Sequence, residues 1–251
     1  MSSASRQALV DKYPSILKFD NDTYEESHDG RELALLDHIY NHPSLNELRG
    51  NPAAIMRMMD DFAAQKDFLI NIGSDKGEKV RQLILKERPA VLVELGGYVG
   101  YSAIAFGDAM RKAAGNEQSV RLLSLEFDPL IASIAMNLVD LAGLADVVKV
   151  VVGPAADSLK RLKDEGKLAA NSIDFLFLDH VEDLYQQDLQ LCEQLGLLKS
   201  GALVVADNVV RPGAPQYREY VRQHSGMESW GIPGLIMPGE FDDELEVTRI
   251  K

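Results

Sequence analysis

Apolar residues change their spacing along the chain, and this change divides it into regions of different predicted structure. From Arg31 onward, apolar side chains recur three and four positions apart, which predicts two helices, in ELALLDHIYNH and PAAIMRMMDDFAAQKDFLI. A third helix is predicted from Glu78 to Glu87. Residues 1–28 are polar and lack such a period, so we expect an N-terminal arm that is extended or mobile, followed by a single domain over residues 29–251.

Beyond residue 90, short apolar runs alternate with segments of helical spacing. The runs predict strands at 91–95, 120–127, 147–152, 173–178, 202–206 and 244–250. The segments between them predict helices at 101–114, 129–143, 155–166, 184–196 and 215–224. Such alternation is typical of an α/β fold with a parallel sheet and helices on both faces. The glycine-rich and proline-containing region around Trp230 is expected to be a loop that packs over this tryptophan.

A glycine-rich turn follows the first predicted strand, in VLVELGGYVGYS. Glu94 lies near the end of the strand, and Gly96, Gly97 and Gly100 permit a close approach of backbone to a ligand, although many such turns only pack a helix against a sheet. The spacing GGxxG departs from the GxGxxG of dinucleotide-binding proteins. The acid at the tip of the second strand, Glu126, could accept hydrogen bonds from two ribose hydroxyls, which suits an adenosine ligand.

Composition and charge restrict the classes of partner. The 251 residues, 46% apolar, suffice for one large α/β domain. The net charge of -13 disfavours nucleic acid and anionic membrane surfaces and favours small neutral or cationic substrates. The sequence shows neither an apolar run of about 18 residues nor a start typical of a signal peptide. The single cysteine, Cys192, cannot form an internal disulfide, and its place in the apolar spacing of a helix predicts a packing role. Together these features lead us to expect a cytoplasmic protein.

Polar side chains follow two of the predicted strands at the point where each strand ends. Asp179 follows the run IDFLFL, and Asp207 and Asn208 follow ALVVA. Neighbouring strands lie about 4.8 Å apart, so these side chains could converge on one cation, or the two aspartates could only cap the next helices. Carboxylate and amide oxygens suit Mg²⁺. We expect His180 to lie beside a cofactor, or to form a hydrogen bond with a metal-binding residue, rather than to bind the metal itself.

These segments together resemble the catechol O-methyltransferase family of metal-dependent S-adenosylmethionine enzymes. The resemblance covers about residues 29–251 and rests on six segments in the family's order: NIGSDKG, ELGGYVGYS, LEFDP, FLFLDH, ADNVVRPGAP and DELE. It implies a Rossmann-like methyltransferase fold with a seven-stranded, mostly parallel sheet, one antiparallel strand near the C-terminus and helices on both faces. It also implies S-adenosylmethionine over the glycine turn, Mg²⁺ and a catechol-type small molecule as acceptor.

The resemblance implies roles for individual residues. Cofactor contacts are expected from Ile72, Glu94, Tyr98, Ser102, Glu126, Asp179 and His180. Asp179, Asp207 and Asn208 resemble the family's metal ligands. Pro212 resembles the proline that lines the substrate slot, next to Asn208, and Glu246 in DELE resembles the acid that holds the substrate's second hydroxyl.

The chain departs from the family at three positions. The family has a lysine as general base where this chain has Glu182, an aromatic gate residue where it has Val181, and a serine beside the adenine where it has Ala155. Glu182 could act as a substitute base, especially if burial raises its pKa, or mark a changed substrate or lost activity. We expect a working enzyme with altered preference, because the predicted metal set is complete.

Three alternatives remain open from the sequence. A caffeoyl-CoA-type O-methyltransferase would need to attract a polyanionic substrate, which this acidic chain does not favour. A non-catalytic relative would bind S-adenosylmethionine without turnover, as the replaced lysine would allow. A nicotinamide-dependent dehydrogenase fits least, because the glycine fingerprint is imperfect.

Overall fold

The computed structural model describes residues 3–20, 25–115 and 118–251. Five α-helices and one 3₁₀ helix precede the first strand in these ranges: α1 (Ser3–Lys12), the 3₁₀ helix Pro14–Asp20, α2 (Arg31–Tyr40), α3 (Leu45–Leu48), α4 (Pro52–Gln65) and α5 (Gly73–Glu87). The helix α4 begins where the sequence provides a cap, because the Asn51 side chain accepts a hydrogen bond from the Ala54 N–H and Pro52 occupies the first helical position.

Strands and helices then alternate as the sequence predicts. The order is β1 (Val91–Leu95), α6 (Tyr101–Ala114), β2 (Arg121–Glu126), α7 (Pro129–Leu141), β3 (Val148–Val152), α8 (Ala155–Asp164), β4 (Ile173–Leu178), α9 (Tyr185–Gln194), β5 (Leu198–Ala206), α10 (Pro215–Gln223), β6 (Met227–Ile236) and β7 (Phe241–Ile250). A 3₁₀ turn (Glu182–Leu184) precedes α9, and a π-helical turn (Val209–Gly213) precedes α10.

The seven strands form one sheet in the order β3-β2-β1-β4-β5-β7-β6. The first five strands pair in parallel, and β7 runs antiparallel to both of its neighbours. The prediction of a mostly parallel, seven-stranded sheet with one antiparallel strand is therefore confirmed. Because the parallel strands end at the same edge, the turns after β1, β2, β4 and β5 lie together there.

Two apolar cores cover the two faces of the sheet. Phe106 of α6 packs edge-to-face on Phe177 of β4 in one core, with ring centroids 5.0 Å apart. Tyr185 packs against Tyr217 in the other, together with the buried Cys192. Burial raises the pKa of the Cys192 thiol to about 12, so this cysteine is a packing residue.

The structure differs from the sequence prediction at both ends of the chain. In the arm predicted to be extended or mobile, residues 3–20 contain α1 and a 3₁₀ helix, and residues 1–2 and 21–24 lie outside the described ranges. The Tyr13 hydroxyl donates to Glu240 of the β6–β7 turn, 3.0 Å away. The expected loop around Trp230 is the edge strand β6. Its glycines and proline weakened the strand pattern, but ten backbone pairs with β7 hold the segment extended.

In the ranges that the structure describes, none of the helices has the length and apolar character needed to cross a membrane.

Candidate active site

The sheet register brings Asp179 and Asp207 side by side. Leu178 of β4 pairs with Ala206 of β5, so the next residue of each strand occupies the same level and points to the same face. The two N–H groups continue the ladder, since Asp179 donates to the Leu95 carbonyl and Asp207 to the Leu178 carbonyl, both at 2.9 Å. The two aspartates thus meet at the carboxyl edge of the sheet.

Burial of these two carboxyl groups is electrostatically unfavourable. Burial raises the pKa of Asp179 well above its usual range, and the nearby Asp207 carboxylate raises it further. Burial also raises the pKa of Asp207 to about 6, against the lowering effect of Lys76. Among the described residues, Asp207 Oδ2 has no hydrogen-bond partner although it is buried. Oδ1 of Asp207 accepts the Asn208 N–H at 2.8 Å, so Oδ2 is the oxygen of this carboxylate that is left without a donor.

Asn208 presents its amide next to this pair. Its backbone adopts φ 57°, a left-handed conformation that asparagine tolerates better than most residues. The Nδ2 group donates to the Arg211 carbonyl at 2.9 Å, which leaves Oδ1 as the atom that can accept a donor or bind a cation.

Lys76 and Asp243 also belong to this cluster, and the sequence analysis missed both. The Lys76 ammonium lies 2.5 Å from Asp207 Oδ1 and 2.6 Å from Asp243 Oδ2, with all three side chains almost fully buried. When ionised, the carboxylates of Asp179, Asp207 and Asp243 carry three negative charges against one positive charge. Lys76 lies within the NIGSDKG segment, so the resemblance to the family could have identified it as a site residue, whereas the spacing of apolar residues could not.

The glycine turn closes tightly over β2. A Cβ atom at Gly97 would collide with the hydroxyl of Ser124. That hydroxyl donates to the buried carboxylate of Glu94. Burial raises the pKa of Glu94 to about 7, while hydrogen bonds from Ser102 and Ser124 oppose the shift. Ile72 is buried and is the residue before α5.

Glu126 fixes the other side of the turn. Its Oε2 accepts the Tyr98 N–H at 2.7 Å, and its Oε1 accepts the Asp128 N–H at 2.8 Å. Tyr98 has φ 41°, an unusual conformation for a bulky residue, and its hydroxyl donates to Glu32 at 2.9 Å. Each carboxylate oxygen of Glu126 can accept a further donor, so the group remains suited to a pair of hydroxyls.

His180 follows Asp179 in the sequence, and its side chain contacts Asp188 of α9. Its Nε2 is 2.9 Å from Asp188 of α9, and its ring lies 5.1 Å from that of Tyr185. Its Nδ1 is buried and has no hydrogen-bond partner in the part of the chain that the structure describes. Asp188 thus orients the imidazole and leaves one ring nitrogen for a ligand or water.

The prediction for Glu246 is not supported by the geometry. Glu246 is fully buried, and its carboxylate accepts hydrogen bonds from Arg222 Nη2 at 2.7 Å, Arg218 Nε at 3.1 Å and Ser229 Oγ at 2.8 Å. Alternate residues of a strand face opposite sides, so Glu246 points towards α10 while Asp243 points towards Lys76 of α5. The acid of β7 that reaches the cluster is therefore Asp243.

Comparison with known proteins identifies the family. A family model described as O-methyltransferase matches residues 45–224. Catechol O-methyltransferase of Bos taurus is 37% identical over 221 residues, which cover 88% of this chain and 77% of the bovine protein. The chain belongs to the O-methyltransferase family. A probable O-methyltransferase of Mycobacterium tuberculosis is also 36% identical over 85% of this chain and 93% of its own length.

Solved structures agree with this family at the level of the fold. An O-methyltransferase from Bacillus cereus in complex with SAH matches with a TM-score of 0.65 and 19% identity, over 88% of this chain and 96% of that chain. TomG, an O-methyltransferase from Streptomyces achromogenes in complex with SAM, matches with a TM-score of 0.65 and 19% identity over 100% of both chains. The fold is thus a Rossmann-like methyltransferase fold.

Three further predicted residues of this O-methyltransferase lie in the turns that follow β4 and β5. Glu182 is half-buried in the 3₁₀ turn after β4, and burial raises its pKa. Val181 leaves 60% of its surface exposed, and Pro212 is exposed in the π-helical turn after β5. The turns that follow β4 and β5 thus place apolar surface on both sides of the strand ends.

Within the described ranges, the O-methyltransferase has no group of three or more histidine, cysteine, aspartate or glutamate side chains arranged to hold a metal ion. The predicted ligand set differs from such a group, because it combines two carboxylates with one amide oxygen.

Proposed function

We propose that this O-methyltransferase moves a methyl group from S-adenosylmethionine to one hydroxyl of a catechol-type small molecule at a Mg²⁺ site. The observation that carries this proposal is the paired arrangement of Asp179 and Asp207 at the ends of adjacent strands, with a buried, unpartnered oxygen on Asp207. The similarity to bovine catechol O-methyltransferase supports the acceptor class.

The residues at the strand ends fit a divalent cation. Asp179, Asp207 and Asn208 supply hard oxygen atoms, which Mg²⁺ prefers. When ionised, the carboxylates of Asp179, Asp207 and Asp243 exceed the Lys76 ammonium by two charges, so a divalent cation would balance this cluster. The raised pKa values of Asp179 and Asp207 have the same physical origin, because burial disfavours the ionised form of a carboxyl group.

The residues around the glycine turn fit S-adenosylmethionine. Glu126 would accept hydrogen bonds from the ribose hydroxyls, since it lies beside the turn and both of its oxygens retain acceptor capacity. We propose that Glu94, Tyr98 and Ser102 surround the methionine portion and that Ile72 and His180 lie along the cofactor. When bound, the cofactor supplies an activated methyl group with its own leaving group, so no nucleophilic side chain is required.

The protein's own contribution is to orient the acceptor and accept its proton. Asp179, Asp207 and Asn208 would hold Mg²⁺, which when bound would lower the pKa of the acceptor hydroxyl that reacts. We propose that Glu182 takes this proton, because burial brings its pKa closer to neutrality and it lies three residues after Asp179. Val181 and Pro212 would flank the aromatic ring of the acceptor.

Glu182 also favours a second candidate. A relative that binds S-adenosylmethionine without transferring the methyl group, or that methylates a non-catechol acceptor, would tolerate the replacement of the family's lysine. A carboxylate adds negative charge where a phenolate must form, and this opposes catechol methylation. The cytoplasmic location remains a prediction of the sequence.

The deciding experiment measures transfer of label from methyl-labelled S-adenosylmethionine to a panel of catechols, with Mg²⁺ and with a chelator. We expect transfer that the chelator abolishes and Mg²⁺ restores, and loss of transfer in Asp207→Asn. Transfer that resists the chelator would refute the metal site. Cofactor binding by calorimetry without any transfer would favour the second candidate.

A further inference from the structure

Lys76 gives the two carboxylate oxygens of Asp207 different environments. Oδ1 lies 2.5 Å from the Lys76 ammonium, whereas Oδ2 is buried and has no hydrogen-bond partner among the described residues. A carboxylate held in this way offers a cation one oxygen, because the other is already engaged in a short ion pair.

The position of the Lys76 ammonium is itself fixed. Asp243 Oδ2 holds it from a second side at 2.6 Å. The aliphatic stem crosses Gly234 of β6 so closely that a Cβ atom there would lie 2.6 Å from Lys76 Cγ. Burial and this contact leave the side chain no room to swing away from Asp207.

Asp243 connects the same ammonium to the loop after β5. Its Oδ1 accepts the N–H groups of Val210 at 3.2 Å and Arg211 at 3.0 Å. Its Oδ2, which binds Lys76, also lies 3.4 Å from Asn208 Nδ2. The orientation of Asp207 and that of Asn208 are therefore set by one network.

We propose that Lys76 is a positioning residue that restricts Asp207 to a single metal-binding oxygen. This inference rests on the proposed Mg²⁺ site. Mg²⁺ has about six coordination positions in an octahedral arrangement, and an acceptor with two hydroxyls needs two of them. A carboxylate free to bind through both oxygens would take a position that the acceptor requires. Lys76 thus weakens metal binding and preserves acceptor binding.

The test compares Lys76→Met with the matched control Lys79→Met. Lys79 lies on the same helix and pairs with Asp75 at the surface, so the control removes the same charge away from the cluster. Binding of Mn²⁺ alone is measured by electron paramagnetic resonance without cofactor or acceptor. KM for catechol and for S-adenosylmethionine is then measured at saturating metal.

We expect Lys76→Met to bind Mn²⁺ at least about threefold more tightly, because a positive charge beside the site is lost. We expect its KM for catechol to rise about tenfold while its KM for S-adenosylmethionine stays within about twofold. Lys79→Met should change none of these values. Weaker Mn²⁺ binding or an unchanged KM for catechol in Lys76→Met overturns the inference.

Gly234→Ala provides a second variant in case Lys76→Met does not fold. It retains the charge but displaces the stem, so KM for catechol should again rise, and an unchanged value overturns the inference. Failure of the wild type to bind Mn²⁺ overturns the proposed metal site together with this inference. A different result overturns only the role of Lys76. In that case Asp207→Asn abolishes Mn²⁺ binding, whereas Lys76→Met leaves both Mn²⁺ affinity and the KM for catechol unaltered.

Discussion

Glu94→Gln tests how the buried carboxylate beneath the glycine turn affects stability. Burial raises the pKa of Glu94 to about 7 from an ordinary value of 4.5. The unfolded chain retains the ordinary pKa, so between these two values the folded protein binds more protons than the unfolded chain. The contribution of Glu94 to stability is therefore fully present below pH 4.5 and is lost as the pH rises through 7.

The size of this loss follows from the two pKa values. Their difference, at about 1.4 kcal/mol per pH unit, corresponds to about 3 kcal/mol over the whole range and about 2 to 3 kcal/mol between pH 5 and pH 8. Glutamine has nearly the same shape and can still pair with Ser124, but it does not titrate. We expect the free energy of unfolding of Glu94→Gln, relative to the wild type, to rise by this amount from pH 5 to pH 8.

Urea unfolding of both proteins at pH 5, 6, 7 and 8 measures the difference, since most other titrating groups are common to both. Glu87→Gln is the control. Glu87 pairs with Arg249, which lowers its pKa, so this carboxyl is ionised in both states over the same range and the difference should stay constant. A Glu94→Gln difference that is constant, or that falls with rising pH, would refute the reasoning.

Four further predictions concern the site and its surroundings. Glu182→Gln should lower kcat by about 100-fold with unchanged cofactor affinity, whereas Glu182→Lys should retain turnover, and a glutamine variant with wild-type kcat contradicts a proton-accepting role. Because Val181 is small and exposed, catechols with larger substituents should react as well as small ones, which kcat/KM values over a series will check. Glu246→Gln should lower the free energy of unfolding by about 2 kcal/mol, because it breaks ion pairs with two arginines whose partial exposure to solvent weakens those pairs. The same variant should leave the KM for catechol unchanged. Gly97→Ala should destabilise the protein by at least about 1 kcal/mol through its collision with Ser124 and weaken cofactor binding, as thermal unfolding with and without S-adenosylmethionine would show.

Most of the fold was predictable because the parallel strands are buried on both faces. Continuous apolar runs such as IDFLFL mark β4, and the alternation with helices defines the sheet. The edge strand β6 escaped prediction, because its residues are mostly half-exposed and include Gly231, Pro233 and Gly234. Its structure depends on pairing with β7, which no local pattern reveals.

The strand-end residues of the site were predictable for a similar reason. Asp179 and Asp207 follow apolar runs directly, so strand adjacency was enough to bring them together. Lys76 and Asp243 were missed because their meeting depends on how α5 packs against β6 and β7. The predicted role of Glu246 is not supported by the geometry, since Glu246 lies three positions after Asp243 on β7 and faces the opposite side of the sheet.

The contact between Lys76 and Asp243 joins residues 167 positions apart, and this separation has a consequence for biosynthesis. Asp243 lies in β7, which follows the other six strands of the sheet along the sequence. Synthesis proceeds from the N-terminus, so the ribosome releases β7 after every other strand has been made. The pocket that holds the Lys76 ammonium therefore cannot close until β7 has been made, and a growing chain that has not reached β7 cannot assemble it.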